Sequence, residues 1–390
     1  MTSGAVAALN IDIDSAGAFD TAGHPSRVGD FAREVYGFLG VPIDVTTKRS
    51  VVHHIEMAAA SATPLLISTT NVNFLASSRR NSDFRDSLLS SDICTPDGMP
   101  IVWLSRLLGI PVKERVAGSD LFDLLKFTRT SDPLKVFLFG GAKGVAAKAA
   151  ETLNAQNSGM ICTGSLYPGY GSVEEMSADP IIDAINGSNA DILAIALGAD
   201  KANLWLQRNH HRLKIPIRAQ LGSTLNFQAG TTKRAPVWMQ KSGLEWLWRI
   251  KEEPWLWRRY MADGVVLAQL TLTHVIPLLI VQQWHRLRWG QVVDIKIDRS
   301  ERQNSVSLVI SGAATSQNLP KLVSYLQNAA SAKKKVVINL AGTRRIDTHF
   351  IGSLLVLHKR LKEQQLRMQL TAVPRSVKLL FRLNGFTFLL

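Results

Sequence analysis

From Pro64 to Gly222 short apolar runs alternate with longer amphipathic stretches. "PLLIST", "DICTP", "LKVFLFGG", "MICTGSL", "DILAIALG" and "IRAQLG" are mostly apolar without strict alternation, the pattern of strands buried on both faces. Between them "SVVHHIEMAAA", Phe74 to Ser90, Met99 to Leu108, "GSDLFDLLKFT" (with Ser119 as N-cap), "AKGVAAKAAETLNAQ", "EEMSADPIIDAINGS" and "ANLWLQRNHHRL" carry helical spacing. This alternation predicts an α/β fold, a Rossmann-like and mostly parallel sheet with helices on both faces. Ligands of such sheets bind at the strands' carboxyl ends. The clusters Thr69–Asn71, Asp97–Gly98, Gly140–Gly141, Gly198–Lys201 and Gly222–Asn226 follow strands and are expected to converge on one edge.

The pattern changes along the chain. Residues 1–30, rich in Ala, Gly, Ser and Asp, read as a disordered tail. "FAREVYGFLGVPIDV" then brings order, and the α/β core runs over residues 31–232. Residues 233–292 turn to long helical stretches. Within them Gly264 to Trp284 has no formal charge if His274 is neutral, and is long enough to span a bilayer. His274, Pro277 and three glutamines suit a helix lying in the interface better. A second alternation fills residues 293–390: "SVSLVISG", "KKKVVINL" and "RMQLTAV" as strands, "LPKLVSYLQNAAS", "FIGSLLVLHKRLKEQQ" and "SVKLLFRLNG" as helices. It predicts a second, small α/β domain that buries its own core.

Net charge is +14, which favours polyanions: nucleic acid, an anionic membrane surface or phosphorylated substrates. From Thr232 to Gly290 there are nine Lys/Arg against four Asp/Glu, with seven of the nine tryptophans. Tryptophan beside cations suits the headgroup layer and argues for an anionic membrane over nucleic acid; a Trp-rich core helix with a solvated face is the plainer alternative. Two cysteines make neither a disulfide framework nor a zinc pattern, so the cytosol is the simplest compartment. The N-terminus lacks the basic start and apolar core of a signal peptide.

The strand-end clusters hold no Asp-x-Asp and no metal set is expected there; no Walker loop or Gly-x-Ser-x-Gly elbow is present. "FLFGGAKG" could cradle a phosphate on backbone N–H groups. Asp97, on the turn "TPDG", either shapes that turn or serves as a base at a pocket mouth.

"TTNVNFLASSRRNSDFRDSLLSSDICTPDGMPIVWLSRLLGIPVKERVAGSDLFDLL", "VFLFGGAKGVAAKAAETL", "ADILAIALGADKANLWL", "GSTLNFQAGTTKRAP" and "GLEWLWRIKEEPWLWRRY" follow one another in an order that resembles the WecB/TagA/CpsF glycosyltransferases, over about residues 35–262. The resemblance implies inverting, metal-independent transfer of a sugar from a UDP-sugar donor to a polyprenyl-diphosphate-linked acceptor. It places the protein peripherally on the cytoplasmic face of the inner membrane, in cell-surface polysaccharide or exopolysaccharide synthesis. It makes Asp97 the base, with Thr69 and Asn71 orienting acceptor or base. It assigns substrate contacts to Arg115, Gly140, Gly141, Gly198, Lys201, Asn226, Arg249, Arg258 and Arg259, although Arg115 is equally suited to a structural ion pair. Leu256 stands where members often carry a further arginine. Ala202 and Asn203 replace Gln and Glu, and Asn226 replaces Asp, on the expected nucleotide side. A catalytically inactive scaffold or regulator of polysaccharide assembly is the alternative.

"KKKVVINLAGTRRIDTHFIGSLLVLHKRLKEQQLRMQLTAV" resembles a STAS domain. Where STAS switch proteins read Asp-Ser-Ser-Gly, this chain has Asp347-Thr348-His349-Phe350. That implies an unphosphorylated module that offers a surface to a protein partner and is dispensable for chemistry.

Overall fold

The structure, a computed structural model, describes residues 30–128, 132–156, 158–289 and 294–390. Of the tail expected over residues 1–30, residues 1–29 lie outside the described residues, and Asp30 is instead buried in a short 3-10 turn, Asp30–Ala32.

Among the described residues, twelve strands form three sheets. β1 (Val35–Phe38) and β2 (Val41–Asp44) make an antiparallel hairpin. β3 (Leu65–Thr70), β4 (Ile93–Pro96), β5 (Leu134–Gly140), β6 (Met160–Leu166), β7 (Ile192–Ala196) and β8 (Ile217–Gln220) form a parallel sheet in the order β4-β3-β8-β7-β5-β6. β9 (Ile295–Glu301), β10 (Ser305–Ala314), β11 (Lys335–Ile346) and β12 (Met368–Thr371) form a sheet in the order β12-β11-β10-β9, parallel except at β9. The doubly wound core expected from the apolar runs is therefore present. Its β5 shows why those runs lack alternation: Val136 and Leu138 enter one apolar cluster, Phe137 and Phe139 the cluster on the opposite face.

One local element is new and two differ from the pattern. The hairpin turns on Leu39-Gly40, with φ of 47° and 98°. Two central residues with positive φ are the geometry of a two-residue hairpin loop. The usual Asn-Gly signature is missing, so the pattern did not reveal it. The helix expected from Phe74 to Ser90 is two helices, Val72–Arg80 and Ser82–Leu89. Asn81 stops the first and caps the second, accepting hydrogen bonds from the N–H groups of Asp83 (2.8 Å) and Phe84 (3.2 Å). The helix Gly118–Phe127 has Ala117, not Ser119, at its N-cap.

β4 is an edge strand of its sheet, and two features protect it. Pro96 has no N–H to leave unpaired. The Cys94 N–H donates to Asp44 of the hairpin at 2.6 Å.

The C-terminal domain does not bury its core alone. Phe38, Val41 and Ile43 of the hairpin, Phe74, Phe84 and Leu88, and Phe350, Leu354 and Phe386 belong to one continuous apolar cluster. The helix Thr348–Glu363 packs directly on β1. A Cβ on Gly352 would lie 1.8 Å from the Val35 carbonyl oxygen, so only glycine fits this contact.

A continuous helix spans residues 257–289 with a π-turn at Thr271–Val275. Pro277 has no N–H for the carbonyl four residues back, and the widened turn takes up the mismatch. Leu270, Val275 and Leu278 are buried in the shared cluster, while Val265, Leu272, Ile276 and Ile280 face outward.

Candidate active site

The carboxyl ends of β3, β4, β5, β7 and β8 lie on one edge of the parallel sheet, carrying Thr69–Asn71, Asp97, Gly140–Gly141, Gly198 and Gly222–Asn226. Asp97 follows β4 directly. Its N–H donates to the Thr70 carbonyl at 2.8 Å, continuing the β3–β4 ladder one residue past Pro96. Gly98, at φ 96°, turns the chain into the helix Met99–Leu107.

Around Asp97 lies a cluster that the pattern did not reveal. Arg115 donates to Asp120 (3.1 Å) and to Glu245, and Arg234 pairs with Asp120 and Asp123. The cations are thus already matched by carboxylates. Asp97 is half-buried beside this cluster, and its pKa is pushed up to about 7. Desolvation is the largest cause and Glu245 and Asp120 add to it, while Arg115 and Arg234 pull the other way. A carboxyl with a pKa near neutrality in a strand-end cleft is suited to accept a proton. Asp120, Arg234 and Glu245 were missed because they come from three distant segments; the acidic first turn "GSD" was the one available hint.

Thr69 is buried, with its methyl beside Gly118, where an added Cβ would lie 3.4 Å from it. Asn71 caps the helix Val72–Arg80 by accepting from the Phe74 N–H at 3.1 Å, so its carbonyl oxygen is committed to structure.

The expected substrate contacts divide. Arg115 is held in the ion pairs above. The Gly141 N–H donates to the Ala196 carbonyl at 2.8 Å, and a Cβ on Gly140 would lie 2.6 Å from that oxygen. The glycine pair therefore joins β5 to β7, and Gly141 has no N–H to spare for a phosphate. Gly198 opens the helix Ala199–Asn209 at φ 81° with free space beside its Cα. Lys201 donates to the Gly171 carbonyl at 2.9 Å and ties down the loop after β6. Arg249, from the segment beyond the core, reaches back to Phe227 beside Asn226, its guanidinium 5.3 Å from the ring centre and 2.6 Å from Glu253. Arg259 stacks on Tyr260 and Arg258 on Trp257, both exposed.

Ala202 and Asn203 are both buried. Positions 202, 203, 205, 206 and 209 form the buried stripe of their helix. Ala202 lies in the apolar core, and Asn203 lines a cleft of about 200 Å³ against the helix Thr348–Glu363. Their departure from the family pattern therefore concerns packing. Among the described residues no three His, Cys, Asp or Glu gather as a metal set.

The model of the glycosyl transferase WecG/TagA/CpsF family matches residues 36–278. The chain belongs to this family. Residues 297–390 match an Mlab-type STAS domain. Among curated relatives, an N-acetylglucosaminyldiphosphoundecaprenol N-acetyl-beta-D-mannosaminyltransferase of Bacillus subtilis is 28% identical over 197 residues, 50% of this chain and 75% of that protein. The enzyme of the same name from Staphylococcus aureus is 25% identical over 214 residues, 54% of this chain and 82% of that protein. The protein is a glycosyltransferase-family member with a fused STAS domain.

Proposed function

We propose that the protein is an inverting, metal-independent hexosyltransferase. It moves a sugar from a UDP-sugar to a polyprenyl-diphosphate-linked saccharide, at the cytoplasmic membrane face, in cell-surface polysaccharide synthesis. Asp97 carries this reading: it is a strand-end carboxyl with a pKa near 7, inside a cluster whose other charges are already paired. Asp97 takes the proton of the acceptor hydroxyl. The hydroxyl oxygen attacks the anomeric carbon on the face opposite UDP, the bond to the diphosphate oxygen breaks, and its electron pair leaves with UDP. Charge on the departing diphosphate falls to cations and backbone N–H groups at the same edge. Arg249, beside Asn226 and Phe227, is the best-placed side chain for it.

The acceptor class rests on the relatives, whose names carry a diphosphoundecaprenol-linked sugar. The membrane reading is supported by exposed Trp238, Trp246, Trp255 and Trp257 and by the outward apolar face of the helix over 257–289. The segment Pro254–Trp284 has the length and hydropathy of a span. Burial of Leu270, Val275 and Leu278 against the protein favours a helix lying along the surface.

The test is UDP release by the purified protein with a lipid-linked acceptor, screening UDP-glucose, UDP-N-acetylmannosamine and UDP-glucuronate. One donor is expected to turn over, and Asp97→Asn to lose about 10²–10⁴-fold of that rate. Near-normal turnover in Asp97→Asn would overturn the assignment. Absence of turnover with every donor would favour the scaffold.

A further inference from the structure

The strand that delivers Asp97 is rooted in the C-terminal domain. Ser91 and Asp92 lead into β4. Lys359, on the helix Thr348–Glu363, has a side chain only 5% exposed. Its ammonium donates to Asp92 Oδ1 at 2.5 Å and to the Ser91 carbonyl at 3.3 Å, and lies 3.6 Å from Asp30. The other carboxylate oxygen of Asp92 accepts from the Leu66 N–H at 2.7 Å, at the start of β3. Arg33 grips Asp44 through both carboxylate oxygens, at 2.9 and 2.8 Å, and Asp44 accepts from Cys94 inside β4. Arg360 lies 3.6 Å from Asp30. Three cations, Arg33, Lys359 and Arg360, thus meet three anions, Asp30, Asp44 and Asp92, at the root of one four-residue strand. Two of the three cations come from the C-terminal helix.

The same helix is fixed to the hairpin that covers β4. His349 stacks on Tyr36 with ring centres 4.2 Å apart, and Gly352 sits against the Val35 carbonyl. A charge buried without its partner is costly, so Asp92 is tolerated there only with Lys359 in place. Burial alone would raise the pKa of Asp92; the Lys359 ammonium, with the Leu66 N–H and Arg33, outweighs it and holds the carboxyl below its ordinary value.

We propose that the C-terminal domain is a built-in clamp on the catalytic strand, and that Lys359 is a positioning residue for Asp97 through Ser91, Asp92 and β4. This rests on the reading of Asp97 as the base, but the clamp can be measured without turnover. In full-length Lys359→Met, amide exchange at Cys94, Thr95 and Asp97 is expected to speed up at least about tenfold, with β5 and β7 unchanged. Lys359→Arg should retain protection. Lys359→Met with Asp92→Asn, which removes both charges together, should recover most of it. Lys362→Met, which breaks the exposed 3.1 Å bridge to Asp86 at the same interface, should leave β4 as it was. With an active donor, kcat should fall in Lys359→Met while the donor KM stays within about twofold.

Unchanged exchange at β4 would overturn the proposal, as would equal loss of protection across all six strands. Should Lys359→Met not fold, the double variant decides: a folded protein with a protected β4 supports the clamp, and an unfolded one overturns it. A wild-type protein without turnover would sink the role of Asp97 and leave the exchange result to judge Lys359.

Discussion

At the scale of single residues, the site is a balance of charges. The pKa of Asp97 is near 7 chiefly because burial strips its carboxylate of water, with Glu245 and Asp120 adding to the shift against the pull of Arg115 and Arg234. A base must be unprotonated to act, so kcat/KM should rise with pH through about 7 and level off above it, as a pH–rate profile will show. The stability sign is the reverse. The folded pKa lies above the unfolded carboxylate value, so folding favours the protonated form. The contribution of Asp97 to stability is present at low pH and is lost as pH rises from about 4 towards 7. Asp97→Asn should therefore unfold at or above the wild-type temperature at pH 8 while losing turnover; a lower melting temperature would show that the carboxylate supports the fold. Thr69, Asn71 and Asp97 were legible as polar residues after apolar runs. That Asn71 is also a helix cap, and that Arg115 is committed to ion pairs, depended on partners that local spacing does not specify.

At the scale of elements, the helix over residues 257–289 has two unlike faces. Leu270, Val275 and Leu278 close a core, while Val265, Leu272 and Ile276 look outward alongside Trp255 and Trp257. If that outward face meets lipid, Trp255→Ala with Trp257→Ala should weaken sedimentation with anionic vesicles by about tenfold, a loss of ~1.4 kcal/mol. Wild-type binding should also fall as salt is raised, because screening removes the attraction between Arg258, Arg259 and anionic lipid. Binding that is indifferent to both changes would place the contact on another surface. The uncharged run of this helix was plain from composition. Its choice between core and surface was not, because a long apolar helix can satisfy either.

At the scale of the whole molecule, the C-terminal domain is packed into the transferase. A chain ending at residue 289 would uncover the face of the hairpin on which the helix Thr348–Glu363 packs, within a core that runs from Phe38 and Ile43 to Phe350, Leu354 and Phe386. The module expected to be dispensable for chemistry is therefore expected to be needed for a stable transferase. Such a truncation should aggregate or melt well below the full chain in calorimetry, since exposed apolar surface of this kind drives association. A soluble, monomeric and fully active truncation would refute this.

The periodic features are written in the order of residues along the chain. Six apolar runs separated by amphipathic helices admit little besides a parallel sheet covered on both faces, and a parallel sheet brings every strand's carboxyl end to one edge. The glycosyltransferase order of motifs and the second α/β unit were legible for the same reason, since both are written in contiguous stretches. Which residues meet depends instead on how the elements pack. Arg115 with Glu245, Arg249 with Phe227 and Lys359 with Asp92 are separated by tens to hundreds of positions, and Ala202 and Asn203 face packing because of the helix face they occupy. Local propensity sets the period of an element. The pairing of distant charges, and with it the pKa of Asp97, follows from how those elements exclude water when they pack.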